Sequence, residues 1–324
     1  MHLPDAAGGC EERWGTVSIS VIIPTLNAER ELPELLEKIK AQRLEPMGTD
    51  PIGTLPNCVQ TPMVSEIIVV DSESTDRTVA IAEEAGARVL SVARKDFDHG
   101  RTRDLALRAS SGHVVVFLTQ DAVPVNEFFL ENLIRLLSEE KVAVVTGRQL
   151  PKADASPMEK LIREFNYPAE SHIRSEEDVD RMGIKAFFCS DVCAAYNRQN
   201  YLELGGFDYP LKTNEDMFFA AKAIRNGYRV GYAADALVYH SHNFSLKEQY
   251  QRNYIQGYEI EKHRELLGEV SQESEGMRLV KFVSAGLLRK GRIVSFIHFG
   301  LDCCARLLGS RAGRKKYLSE IQAR

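Results

Sequence analysis

Two buried runs in this chain stop on acids. Val114-Val115-Val116-Phe117-Leu118 is apolar and rich in β-branched residues, and it runs into Thr119-Gln120-Asp121. Such a run reads as a strand covered on both faces. Ile67-Ile68-Val69-Val70 likewise ends on Asp71. An acid placed where a buried strand stops lies at the carboxyl edge of its sheet, where open α/β sheets bind ligands. A hard cation such as Mg²⁺ or Mn²⁺ takes carboxylate and phosphate oxygens. Asp121 suits that role, with Gln120 as a neutral helper beside it. The same residue types also cap helices, and Pro124 could open one. On these residues alone Asp121 is either a metal ligand or a cap.

Three further groups could do chemistry. Glu215-Asp216 stands at a predicted helix start, where one acid could act as general base towards a hydroxyl, or both could simply complement the helix dipole. Tyr239-His240-Ser241-His242 ends a strand-like run, and paired histidines there suit metal or phosphate contact unless a turn separates them. His99-Gly100-Arg101-Thr102-Arg103 opens a predicted helix whose N-terminus favours anions; its arginines either meet a diphosphate or form a solvated face. No Gly-x-Gly-x-x-Gly follows the first predicted strand, and no Gly-Lys-Ser/Thr is present. The usual dinucleotide and P-loop cradles are therefore missing, which disfavours an oxidoreductase. A nucleotide diphosphate bound here needs a metal and arginine to neutralise it.

The elements that must position these groups alternate. Strands are expected at 17–23, 66–71, 88–90, 114–118 and 142–146, with helices at 29–42, 78–85, 100–110 and 126–137 between them. This order argues for a mostly parallel sheet flanked by helices. Residues 43–64 carry four prolines and two glycines and read as an inserted loop. Beyond 146 the pattern loosens: helices at 158–167, 176–181 and 214–225, strand-like runs at 187–196 and 230–239, and only helices from Leu246 onward.

The 324 residues, 44% hydrophobic and 27% charged, have an ordinary globular composition, and the net charge of −5 gives no push towards nucleic acid. Residues 277–316 hold ten Lys or Arg and one acid, a local +9. Six scattered cysteines without zinc-like spacing fit a reducing cytoplasm, and Cys189 and Cys193 read as core thiols. Residues 1–16 read as a loose tail without the pattern of a signal peptide. The longest late stretch without charge, 293–301, is too short to span a bilayer.

The ordered set Ile22-Ile23-Pro24-Thr25-Leu26-Asn27, Val69-Val70-Asp71-Ser72-Glu73-Ser74-Thr75-Asp76, Thr102-Arg103, Gln120-Asp121-Ala122 and Glu215-Asp216 resembles the GT-A-fold glycosyltransferases of family 2. The segments around His99, Asp121 and His240-Ser241-His242-Asn243-Phe244-Ser245 resemble its rhamnosyltransferase-like branch. The resemblance implies a Rossmann-like GT-A domain over 17–245 with a C-terminal helical extension over 246–324. It implies an inverting enzyme that moves a sugar, such as L-rhamnose from dTDP-L-rhamnose, to a saccharide or lipid-linked acceptor in surface polysaccharide synthesis. The same fold also serves UDP-hexose or galactofuranosyl donors, and a non-catalytic nucleotide-sugar-binding module is the remaining alternative. By position, Pro24, Thr25, Asn27 and Asp71 would line the nucleoside pocket, with Arg103 and Gln120 also on the nucleotide. Asp121 would hold Mg²⁺ or Mn²⁺, with His240 and His242 as further contacts, and Asp216 would be the base with Glu215 beside it. Thr119 stands where the family's metal element has its first Asp. The basic, apolar segment 277–316 would either touch an anionic membrane at the inner face of the cell membrane or pack on the domain or on a second subunit.

Overall fold

The computed structural model describes residues 15–45, 60–268 and 273–323. The expected loose tail falls almost wholly outside these residues, as does 46–59 of the expected loop. The end of that loop is ordered structure, because the second strand begins at Gln60 rather than Glu66.

Among the described residues, nine strands form one sheet: β1 (Gly15–Thr25), β2 (Gln60–Asp71), β3 (Arg88–Ser91), β4 (Val114–Leu118), β5 (Val123–Pro124), β6 (Val142–Leu150), β7 (His172–Arg174), β8 (Cys193–Asn197) and β9 (Arg229–Tyr239). The order is β3-β2-β1-β4-β8-β6-β9-β5, with β7 also paired to β9. The β3-β2-β1-β4 half is parallel, as the alternation predicts. The other half departs from it. β8 inserts antiparallel between β4 and β6, so β6 does not continue the parallel series beside β4. Pro124 opens no helix; it lies in β5, paired to β9. The strand-like run expected at 187–196 is a strand only from Cys193.

Side chains alternate across the sheet with a period of two. Ile19, Val21, Ile23, Val114, Val116 and Leu118 face one core, beneath helices Leu32–Lys40 and Phe129–Arg135. Ile22, Ile68, Val70, Val115 and Phe117 face the other, beneath helices His99–Ala109 and Glu215–Arg225. Cys189 and Cys193 are buried free thiols, as expected. Because β6 is antiparallel to β8, and β8 to β4, the strands β1, β2, β4, β6 and β9 all finish at one edge, where β8 begins.

The last part is helical, as expected. Ser245 and Glu248 close a reciprocal capping box that starts helix Leu246–Lys262 directly after His242. Helix Glu273–Arg289 packs Val283 and Leu287 against Leu161 and Ile162 of helix Pro157–Asn166. Helix Ile293–Gln322 lies against Leu246–Lys262 at very close range. Glycines allow that approach: a Cβ on Gly257 would meet the Ser310 carbonyl, one on Gly309 the Tyr250 carbonyl and one on Gly313 the Tyr254 carbonyl. Gly313→Leu is expected to force the two helices apart and to cost about 1–3 kcal/mol in chemical denaturation, as overpacking does. Gly300→Ala, whose Cβ would meet nothing within 4 Å, is expected to gain about 0.5–1 kcal/mol. Equal effects of the two changes would show that the glycine contacts do not set the helix spacing.

Candidate active site

The shared edge gathers two clusters. In the first, Asp121 follows β4, while His240 and His242 follow β9. Their ligand atoms all lie within 4.8 Å of one another. His240 Nε2 is 3.5 Å from Asp121 Oδ1, His242 Nε2 is 3.5 Å from Oδ2, and the two Nε2 atoms are 3.0 Å apart. No turn separates the rings; they meet edge to face with centroids 4.7 Å apart. Asp121 caps no helix. Burial pushes its carboxyl up, but His240, Lys152 and His242 together hold it below the usual range. Burial pushes His240 down to about 3, so this ring is neutral at pH 7 and can act as a ligand. One carboxylate and two imidazoles make a mixed donor set. It fits a divalent first-row ion such as Mn²⁺ better than Mg²⁺, which prefers oxygen alone. Thr119 Oγ1 is buried and makes no hydrogen bond with the described residues.

The second cluster joins helices His99–Ala109 and Glu215–Arg225 to the start of β8. Arg103, 5% exposed, places Nη1 3.0 Å from Glu215 Oε1 and Nε 3.3 Å from Asp191 Oδ2. Its positive charge is engaged by these two buried acids. The N-terminus of its helix is also occupied: Asp98 accepts from the Arg101 backbone N–H at 2.9 Å. Asp191 accepts from the Tyr196 hydroxyl at 2.7 Å, and its backbone N–H donates to Asp216 Oδ2 at 3.0 Å. Asp216 Oδ1 accepts from the Met217 N–H at 2.7 Å. At an effective dielectric near 20, opposite charges 3.0 Å apart attract by ~5 kcal/mol. Each buried ion costs several kcal/mol in lost hydration. One guanidinium therefore cannot keep three carboxylates fully ionised. Burial drives Asp191 well above the carboxylate range despite Arg103. Burial and the neighbouring Glu215 push Asp216 up to about 7. Asp216 is half-buried where Asp191 and Glu215 are buried, so it is the acid of this trio with solvent access.

The residues expected around a nucleoside lie at the ends of β1 and β2. Asp71 is buried; its Oδ2 accepts from the Ser74 N–H at 2.9 Å, and its Oδ1 is 3.4 Å from Thr25 Oγ1. Asn27 holds a left-handed backbone (φ 51), and its Oδ1 accepts from the Thr75 N–H at 2.9 Å. Pro24 is half-buried beside Thr25. Gln120 is committed elsewhere: its Oε1 accepts from the Leu26 N–H at 2.9 Å and its Nε2 donates to the Leu26 carbonyl at 3.3 Å. Through these two bonds it braces the loop after β1.

Three functional neighbours were not found in the sequence. Lys152 Nζ is 3.2 Å from Asp121 Oδ2. Gln149, at the end of β6, is 3.0 Å from His240 Nδ1 through its Oε1. Asp191 precedes β8. Gln149 and Lys152 lie beyond Thr146, where β6 was expected to stop. Asp191 is an acid ahead of an apolar run, a signal that leads to this edge only once β8 is known to be antiparallel.

The mostly parallel sheet with its covering helices has the GT-A glycosyltransferase fold. Solved structures share this fold. The mannosyltransferase PcManGT from Pyrobaculum calidifontis, in complex with GDP-Man and Mn²⁺, matches with a TM-score of 0.57 at 17% identity, covering 93% of this chain and 86% of that one. TarS from S. aureus matches with a TM-score of 0.53 at 21% identity, covering 83% of this chain and 43% of that one. Residues 20–205 match the family described as Glycosyl transferase family 2, and residues 114–304 match Glycosyl transferase family group 2. Over 243 residues the chain is 39% identical to the O-antigen chain rhamnosyltransferase RfbN of Salmonella typhimurium, covering 74% of this chain and 72% of that one. Over 199 residues it is 42% identical to the O-antigen chain rhamnosyltransferase WbaN of Salmonella anatum, covering 61% and 63%. The chain belongs to glycosyl transferase family 2, and it is a glycosyltransferase.

Asp121→Ala removes the one carboxylate of the mixed cluster. It is expected to lower Mn²⁺ affinity at least ~10-fold in calorimetric titration. An unchanged affinity would show that Mn²⁺ binds elsewhere.

Proposed function

We propose that this enzyme is an inverting sugar transferase of surface polysaccharide synthesis, with dTDP-L-rhamnose as donor and a lipid-linked saccharide as acceptor. The observation that carries the reading is Asp216, a half-buried carboxyl pushed up to about 7, beside the Asp121–His240–His242 cluster on one sheet edge. A base with that affinity can take a proton near neutral pH. The names of the two Salmonella relatives support rhamnose and O-antigen chains.

The mechanism is one displacement. The acceptor oxygen bonds to the anomeric carbon as that carbon's bond to the diphosphate oxygen breaks. The electron pair leaves with the diphosphate, and the acceptor proton passes to Asp216. Attack opposite the leaving group inverts the anomeric centre. Asp121, His240 and His242 would hold a divalent cation, which when bound supplies positive charge to the departing diphosphate. Glu215 and Asp191 hold Arg103, while burial and Glu215 keep Asp216 weakly acidic. Asp71 retains an acceptor lone pair for a pyrimidine imide N–H, with Pro24, Thr25 and Asn27 as pocket walls.

The acceptor reading gains support from helix Ile293–Gln322. By length and composition this helix could cross a membrane. Its inner face, however, is committed to Leu246–Lys262 and buries Asp302, paired to Arg306 at 2.6 Å. Its outer face exposes Ile293, Val294 (83% exposed), Ile297 (60%), Leu301, Leu307 and Leu308. Arg289, Lys290 and Arg292 stand at one end of this stripe, and Arg311 and Lys315 at the other. Two copies joined through it would oppose basic ends in either orientation. An anionic lipid surface suits it better, at about 1 kcal/mol for each basic residue near the headgroups. On this reading the enzyme works at a membrane surface, with the cytoplasmic face as the proposed side. Leu279, Val280, Phe282, Val283, Leu287, Phe296 and Phe299 pack inward instead, so the lipid-facing part of 277–316 is confined to this stripe and its flanks.

A donor panel tests the function. Nucleoside diphosphate release with acceptor present is expected to be fastest from dTDP-L-rhamnose and to be lost on chelation. Asp216→Asn should keep donor binding and lose ~100-fold or more of turnover, as for a lost general base. Faster release from a UDP-hexose or galactofuranosyl donor would replace the assigned donor, and near-normal turnover of Asp216→Asn would remove the assigned base. The lipid contact predicts cosedimentation with anionic liposomes, weakened by high salt and by Arg311→Glu with Lys315→Glu. Absence of cosedimentation at low salt would refute it.

A further inference from the structure

Gln149 is 1% exposed, and nothing in the transfer step uses it. Its Oε1 faces two nitrogens, Arg163 Nη1 and His240 Nδ1. A guanidinium only donates hydrogen bonds. The atom facing Arg163 is therefore the amide oxygen, which settles the orientation of the side chain. That oxygen has no proton to give to His240, so His240 Nδ1 must carry one. The nitrogen left to bind a cation is Nε2, and Nε2 is the atom that faces His242 and Asp121.

The amide is itself held from both ends. Arg163 Nε donates to Glu159 Oε1 at 2.7 Å, one helical turn away, and both side chains are largely buried. The Arg163 guanidinium also lies over the Tyr167 ring, 5.5 Å from its centroid. Gln149 Nε2 donates to Ser190 Oγ at 2.9 Å. Ser190 adjoins Asp191, whose backbone N–H holds Asp216. One buried amide thus touches the histidine of the first cluster and the segment that orients the base in the second.

We infer that Gln149, clamped by Arg163 and Glu159, is a positioning residue that fixes His240 in its Nδ1–H form and so presents Nε2 as a preset cation ligand. The inference rests on reading Asp121, His240 and His242 as a cation site. It has a consequence for the other ring. His240 Nε2 and His242 Nε2 are 3.0 Å apart, and only one proton fits between them. With His240 Nε2 bare, that proton belongs to His242, so cation binding changes the protonated nitrogen of His242 and leaves that of His240 alone.

The test uses the full chain labelled with ¹⁵N-histidine, with His240 assigned by its loss in His240→Gln. Before any cation is added, His240 should show a protonated Nδ1 and a bare Nε2. The same state is expected in Gln149→Glu, whose carboxylate still accepts from both His240 and Arg163, and a mixture is expected in Gln149→Leu. Mn²⁺ affinity, titrated without donor sugar, should fall ~10–100-fold in Gln149→Leu and stay within about threefold of wild type in Gln149→Glu. A wild-type His240 protonated on Nε2 overturns the inference whether or not any variant folds. Mn²⁺ affinity unchanged in a folded Gln149→Leu overturns it too. Wild-type protein that binds no Mn²⁺ overturns the cation-site reading, and this inference with it.

Discussion

The site depends on a charge imbalance enclosed in low dielectric. Arg103 is buried with Asp191 and Glu215, and Asp216 adjoins them both. Three carboxyls share one guanidinium, so protons are retained on the acids that burial penalises most. Remove the guanidinium and the buried acids lose their counter-charge, a change that ordinarily costs about 3–5 kcal/mol. The pair at the helix start therefore does more than complement the helix N-terminus, where Asp216 accepts from the Met217 N–H. Glu215 holds the cation that keeps the cluster folded, and Asp216 is left weakly acidic.

Sheet topology then decides what the cluster can act on. Side chains from β4, β6, β8 and β9 meet although they are far apart in sequence, because β4, β6 and β9 end at the edge where β8 begins. Asp121 and the histidines leave buried strands directly, and Arg103 sits one helical turn inside its helix, above Phe117. The Leu246–Lys262 helix starts four residues after His242, so the C-terminal helices are tied to the same edge. Any surface they rest on is thereby set relative to the site.

Much of this was legible beforehand, and the misses have physical causes. Long β-branched runs gave β1, β4 and the final half of β2, because strands buried on both faces leave no polar interruptions. Asp121, Glu215-Asp216 and the two histidines were visible because polar residues at the ends of apolar runs stand out. Strand direction was not visible. The run 187–196 gives no sign that β8 is antiparallel, and Asp191 could not be placed without that fact. β6 was expected to stop at Thr146 because Gly147, Arg148 and Gln149 break the apolar pattern, so Gln149 and Lys152 were left outside the edge. A sequence does not show that two acids more than 85 positions away from Arg103 face it. In the C-terminal helices, periodicity marked apolar positions but not which of them a neighbouring helix would cover.

The central claim is that Asp216, made weakly acidic by its buried neighbours, takes the acceptor proton. The direct measurement is the pH dependence of single-turnover sugar transfer at saturating donor and acceptor. A base works only when deprotonated, so raising its pKa moves the loss of activity upward in pH. The account predicts a single ionisation near 7, with the rate rising through it and level above. A rate that stays constant from about pH 5.5 to about pH 8.5 would contradict it, because the base would then be fully ionised throughout the range.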